Sequence, residues 1–212
     1  MGDRPVNAWE TYTLNEAMPW WVLQDLPRRE ARAEFELTMQ RKSGRIEILK
    51  KALAESGLVF DGRDASIQSV NDWFVEVMMP LPDAGNNAPD SRSRSICEDT
   101  ALLLGDLMIE RHPELRWDFF IWGKRNVAYH SHVIMGFSTE DPKWHSNLDL
   151  SRIIYGYGVQ VLNARRGLPV DIEVPQGHPL EGVRMPPLPV DTSEFLTLLG
   201  KVARRCQSQE RA

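Results

Sequence analysis

Residues 96–111, ICEDTALLLGDLMIER, constrain the fold more than any other stretch. Over residues 101–109 the apolar side chains run almost all round a helix instead of along one stripe. A helix of that kind needs packing partners on several sides. The period then changes. In residues 116–122, RWDFFIW, Trp117, Phe119 and Ile121 alternate with Asp118, Phe120 and Trp122, as in a strand. Gly123-Lys124-Arg125-Asn126 has the composition of a hairpin loop. Residues 127–137 read as the return strand. A helix that must be covered, followed by a hairpin rich in aromatics, predicts an α+β fold. The expected form is five or six helices packed on a small, mainly antiparallel sheet centred on the 116–137 hairpin.

The rest of the chain supplies the covering helices. Residues 28–56 carry two apolar stripes, Ala31/Phe35/Met39 and Ile46/Leu49/Leu53, with Ser43-Gly44 between them. That spacing predicts either two helices or one that tolerates a glycine at about 1 kcal/mol, and a break or kink is the favoured reading. Residues 66–79 carry Val70, Trp73, Phe74 and Val77 as a buried stripe, ended by Pro80. Residues 148–166 carry Leu150, Ile154, Tyr157 and Val161, with Ser146 or Asn147 as cap, Gly167 as stop, and Gly156 and Gly158 thinning one face. Asp191-x-x-Glu194 opens a final helix with Phe195, Leu198, Leu199, Val202 and Cys206 on its stripe. A short strand is expected at residues 170–174. Residues 80–95 read as a mobile loop suited to a lid, and residues 175–190 as a Pro-rich connection.

At 212 residues the chain suits a single domain, with residues 1–24 as a Trp-rich segment packing onto it. A formal charge of −5 disfavours nucleic acid as a general partner. No apolar run approaches the ~20 residues of a spanning helix. The polar residues 1–16 resemble no secretory signal, so a cytoplasmic protein is expected. Cys97 and Cys206 then read as reduced thiols.

Three groups of residues could carry chemistry. His130 and His132 fall on one face of the expected strand. They read as ordinary hairpin histidines, as an acid–base pair, or with His145 as ligands of a divalent first-row metal, Asp118 being a further carboxylate. Asp99 and Asp106 lie seven residues apart on one helix face. Asp106, set in LLLGDLM, needs a cation such as Arg152 or Arg116 unless it is a perturbed general acid or base. Cys97 has Glu98 and Asp99 beside it, which oppose a reactive thiolate. The third group is for binding: Trp20, Trp21, Trp122, Lys124 and Arg125 combine aromatic area with charge.

PWWVLQDLPRREARAEFELTMQRKSGRIEILKKAL, CEDTALLLGDLMIERHPELRWDFFIWGKRNVAYHSHVIMGF and NLDLSRIIYGYG together resemble a family of bacterial hypothetical proteins of about this length, over most of residues 19–160. That family has no established activity, so the resemblance implies bacterial origin and a one-domain fold, and transfers no functional residue. The helix-then-hairpin order is also similar to small α+β immunity partners of bacterial toxins, a fold-level analogy. The expectation is therefore a cytoplasmic, non-enzymatic binding protein, immunity- or adaptor-like, with no cofactor. Its partner would be another protein or a second copy of itself. The alternative is a metal-dependent or acid–base enzyme using His130 and His132.

Overall fold

The structure is a computed structural model that describes residues 12–79, 89–137, 143, 145–167, 170–171, 184–185 and 189–206. Within them the order is α1 (Trp20–Leu23), α2 (Arg28–Glu55), α3 (Asp64–Val77), α4 (Ser91–Arg111), β1 (Arg116–Phe119), β2 (His132–Met135), α5 (Leu150–Arg166), β3 (Val170–Asp171), β4 (Arg184–Met185) and α6 (Glu194–Cys206). The six helices and two small antiparallel sheets of the described residues make this an α+β fold. No described helix is long and apolar enough to cross a membrane.

The all-round apolar segment is the central helix. α4 buries residues on every side, from Ser93 to Met108, and packs against both α2 and α5. It starts five residues earlier than its apolar run, because Asp90 caps it by accepting from the Ser93 amide at 2.7 Å. Residues 91–95 are therefore helix and not part of a loop. Residues 80–88 of that expected loop lie outside the described residues, as do residues 1–11 and most of 175–190.

α2 corrects the expected break. It runs unbroken for 28 residues, about 42 Å at 1.5 Å per residue. A side chain at Gly44 would meet nothing within 4 Å, so the glycine marks no close approach. Lys42 and Arg45, one on either side of it, both reach α4 and clamp the helix across that point.

The hairpin also differs from its sequence reading. Its ladder is Arg116↔Met135 to Phe119↔His132, four residues on each side. Residues 120–131 form the connection, where a four-residue turn was expected. The cause is local. The Asn126 side chain accepts from the Ala128 amide at 2.9 Å, and successive turns at 126–129 and 128–131 coil the chain before pairing begins. At the join, the Phe120 amide donates to Ser131 and its carbonyl accepts from His130, so two residues face one, as in a bulge. On β2's other edge Leu148 exchanges two backbone hydrogen bonds with Ile134 at 2.9 Å. Of the expected strand at 170–174, Val170–Asp171 is strand, paired with Arg184–Met185, and residues 172–174 lie outside the described residues.

α3, α5 and α6 form where their stripes predict, and the predicted stripe residues are buried except Cys206, which is half-buried at the end of α6. α5 starts at Leu150, because Asp149 and not Ser146 or Asn147 is the cap, and Gly167 ends it in the left-handed region. A Cβ on Gly158 would come within 3.0 Å of Cys97 Sγ, so this glycine lets α5 approach α4, whereas Gly156 faces open space. Phe74 stacks on Tyr157 at 5.5 Å, and Phe195 meets both edge-on. Buried Asn71 on α3 accepts from the Phe195 amide at 3.1 Å and donates to the Thr192 carbonyl at 2.8 Å, fixing the start of α6.

Candidate functional site

Glu98 and Asp99 are neighbours on α4, and the helix sends them to different places. Asp99 is fully buried among donors. Arg45 grips both of its oxygens, Nε to Oδ1 at 3.0 Å and Nη2 to Oδ2 at 2.5 Å. The Tyr12 hydroxyl donates to Oδ2 at 2.5 Å and Asn15 Nδ2 to Oδ1 at 2.9 Å. Arg45 also donates to the Thr13 and Leu14 carbonyls. Burial pushes the Asp99 carboxyl above its usual range, with Arg45, Tyr12 and Asn15 opposing the rise. Burial and the adjacent Asp99 carry the Tyr12 phenol far above its ordinary value. Every oxygen is used, so Asp99 pins residues 12–15 to α2 and α4 and has no lone pair aimed at a substrate.

Asp106, the other carboxylate on that face, pairs with Lys42 and accepts from Trp117 Nε1 at 2.9 Å. Its partner was expected among Arg152 and Arg116. Instead Arg152 lies over the Trp20 ring at 5.3 Å and Arg116 pairs with Asp118. Asp99 and Asp106 thus both serve to dock α2 on α4.

Glu98 faces the opposite way, toward β2 and the start of α5. There it joins His132, Ser131, Asp149 and Ser151, all buried. His132 Nε2 lies 2.8 Å from Ser151 Oγ and 3.8 Å from Glu98 Oε2. Asp149 Oδ1 accepts from the Arg152 amide as the helix cap. Among the described residues, His132 Nδ1, Asp149 Oδ2 and Ser131 Oγ have no hydrogen-bond partner. Burial works to lower the His132 pKa, but the nearby Glu98 carboxylate, with the charge of Asp149, carries it above its ordinary value. Burial raises the Asp149 carboxyl. An imidazole between two carboxylates and a hydroxyl can hold or pass a proton.

His130 does not share this place. It adopts a left-handed φ of 66° in the connection, so the strand alternation that would put it beside His132 is broken. Its ring packs on Tyr129 at 3.9 Å and on Phe119 at 5.4 Å, and Nδ1 donates to the Leu23 carbonyl at 3.2 Å. His145 stacks on Trp122 at 4.2 Å. The three histidines do not converge. Among the described residues, the His/Cys/Asp/Glu trio whose donor atoms lie within 4.8 Å of one another is His112, Glu114 and Cys206. Sequence reasoning passed over that trio, and over Asp149 and Ser151. A cap at Asp149 is readable from its place just before the α5 stripe, but its proximity to His132 is not.

Cys97 is a buried thiol whose pKa burial drives well up. Cys206 is half-buried, and burial with the Glu114 contact raises its thiol to about 11.

The aromatic candidates occupy the outer side of the same region. Trp20 and Trp21 meet edge-on at 5.3 Å, and Trp21 meets Tyr155 at 5.4 Å. Trp21 remains 37% exposed, Val22 38% and Val127 55%. The Gln24 side chain donates to the Val127 carbonyl, and His130 holds the Leu23 carbonyl, so α1 lies on the 127–130 connection. Trp122 is half-buried between His145 and Phe120, and Lys124 and Arg125 are exposed on the turn. No family model matches the chain, and no curated protein or solved structure matches it.

Proposed function

We propose that this chain is a cytoplasmic bacterial protein that works by binding another protein through the face formed by α1 and the 123–130 turn. The observation that carries this reading is the exposure of Trp21, Val22 and Val127 on two elements that hydrogen-bond to each other. Large apolar groups grouped on tied elements are a contact surface in the making. Their surroundings favour one kind of partner. Residues 20–32 and 122–130 hold Arg28, Arg29, Arg32, Lys124 and Arg125 against Asp25 and Glu30, in a chain whose net charge is −5. A local excess of cations around an apolar centre suits a protein with an acidic rim.

The test is affinity capture with the full chain and with a Trp21→Ala/Val127→Ser variant. The expected result is an acidic protein retained by the wild type, released by salt, and lost with the variant. Equal retention by both, or retention of nothing, refutes the reading. Sedimentation of the wild type would reveal self-association through the same face.

A second reading rests on the buried cluster. Ser151 at 2.8 Å from His132, with Glu98 and Asp149 behind it, has the parts of a nucleophile–base pair. A fluorophosphonate probe should then label Ser151 in the wild type and not in His132→Asn. An unlabelled wild type removes the acid–base reading.

A further inference from the structure

We propose that His112, Glu114 and Cys206 form a binding site for one zinc-class divalent cation, which staples the end of α6 to the end of α4. The three donors are an imidazole, a carboxylate and a thiol, the ligand set a borderline-soft cation selects. Their ligand atoms already lie within 4.8 Å of one another. Tetrahedral zinc, with bonds of about 2.0–2.3 Å, places its ligands about 3.5 Å apart. The trio must therefore close by at most about 1.3 Å, and Glu114, which is exposed, is the side chain with room to move.

The backbone beneath the trio is held from several directions. His112 is the C-cap of α4; its amide donates to the Met108 carbonyl at 2.9 Å, and its carbonyl accepts from Leu115 at 2.9 Å. Gly136, at φ 109°, passes so close to Glu114 that a Cβ there would lie 2.2 Å from the Glu114 carbonyl oxygen. Cys206 is the last residue of α6 and packs against the main core. Its neighbour Arg205 lies 3.6 Å over the Phe137 ring, which ties the helix end to the chain leaving β2. Two distant segments are thus brought to one point by contacts that do not depend on a cation.

Without a cation the Cys206 thiol is protonated at neutral pH beside Glu114. Binding is an exchange: the sulfur–hydrogen bond breaks, the proton leaves to solvent, and the thiolate electron pair forms the bond to the metal. The Glu114 charge, which opposes the bare thiolate, then supports the dication. Exposure of Glu114 lets water fill a fourth position.

Titration of the full-length protein with Co²⁺, followed by competition with Zn²⁺, tests the site. One equivalent of Co²⁺ should give a near-ultraviolet thiolate-to-cobalt charge-transfer band that Zn²⁺ abolishes. Cys206→Ser should lose the band, and His112→Ala should weaken binding at least about tenfold, the lower bound seen for outer groups of metal sites. Glu114→Gln, which keeps the side chain's shape, should weaken it as well and guards against a folding defect in the other variants. Native mass spectrometry should show one zinc per chain. A band that persists in Cys206→Ser, a stoichiometric metal with no thiolate band, or no saturable binding would each overturn the assignment.

Discussion

Glu98 and Asp99 stand side by side on α4, are both buried, and look alike in the sequence. Asp99 ends in a closed set of donors, with Arg45, Tyr12 and Asn15 using both oxygens. Glu98 ends beside His132 in a cluster where His132 Nδ1, Ser131 Oγ and Asp149 Oδ2 lack partners among the described residues. A satisfied buried polar network specifies one packing, and breaking it strands charge. A partly satisfied one retains unused hydrogen-bonding capacity in a low-dielectric setting, which is where proton chemistry or a packing compromise resides. One residue step round a helix, about 100°, separates these two roles.

The sharpest break in this comparison is Asp99→Ala. Removing one partner of a buried pair leaves Arg45 uncompensated, so chemical denaturation should show a loss of about 3–5 kcal/mol. A loss below about 1 kcal/mol would mean the network is not closed in solution. Tyr12→Phe removes one hydrogen bond to a charged group and should cost about 1.5–3 kcal/mol by the same measurement. It should also speed proteolysis within residues 12–15, since that segment loses one of its ties.

His132→Asn probes the other cluster and should change the pH dependence more than the stability at any one pH. The folded His132 pKa lies above the ordinary 6.5. Its favourable contribution is therefore complete below about 6.5 and is lost as pH rises through the higher folded value. Asp149, whose folded pKa is also raised, slopes the same way from its ordinary 3.8 upward. The melting temperature of the wild type should fall as pH rises above 6.5, and the variant should fall less steeply. Parallel curves would show that Glu98 does not hold a proton on His132.

Lys42→Ala should have the smallest effect. The Lys42–Asp106 pair is 20% and 36% exposed, and solvent-screened pairs contribute about 0–1 kcal/mol. A larger loss would place the α2–α4 clamp at Lys42 as well as at Arg45.

Much of the fold was legible in the sequence. The stripes of α3, α5 and α6, the all-round burial of α4 and the α+β class follow from periodicity and caps, which act over a few residues. Legibility failed where a local rule met a distant partner. Ser43-Gly44 looks like a break until Lys42 and Arg45 are placed on α4. His130-x-His132 looks like one strand face until the Asn126 turns delay the pairing and turn His130 to positive φ. Asp106 was readable as a carboxylate in need of a cation. Which cation it takes depends on α2 lying against α4.

What the sequence determined by itself was the set of elements and their buried faces, because backbone propensity, side-chain period and capping act between near neighbours. What only the tertiary structure decided was which polar groups meet. Arg45 reaches Asp99 across 54 residues, Ser151 reaches His132 across the α5 cap, and Cys206 reaches His112 and Glu114 from the far end of the chain. Hydrogen bonds and ligand contacts act over about 3 Å, a scale on which position in the chain carries no information until the core has packed.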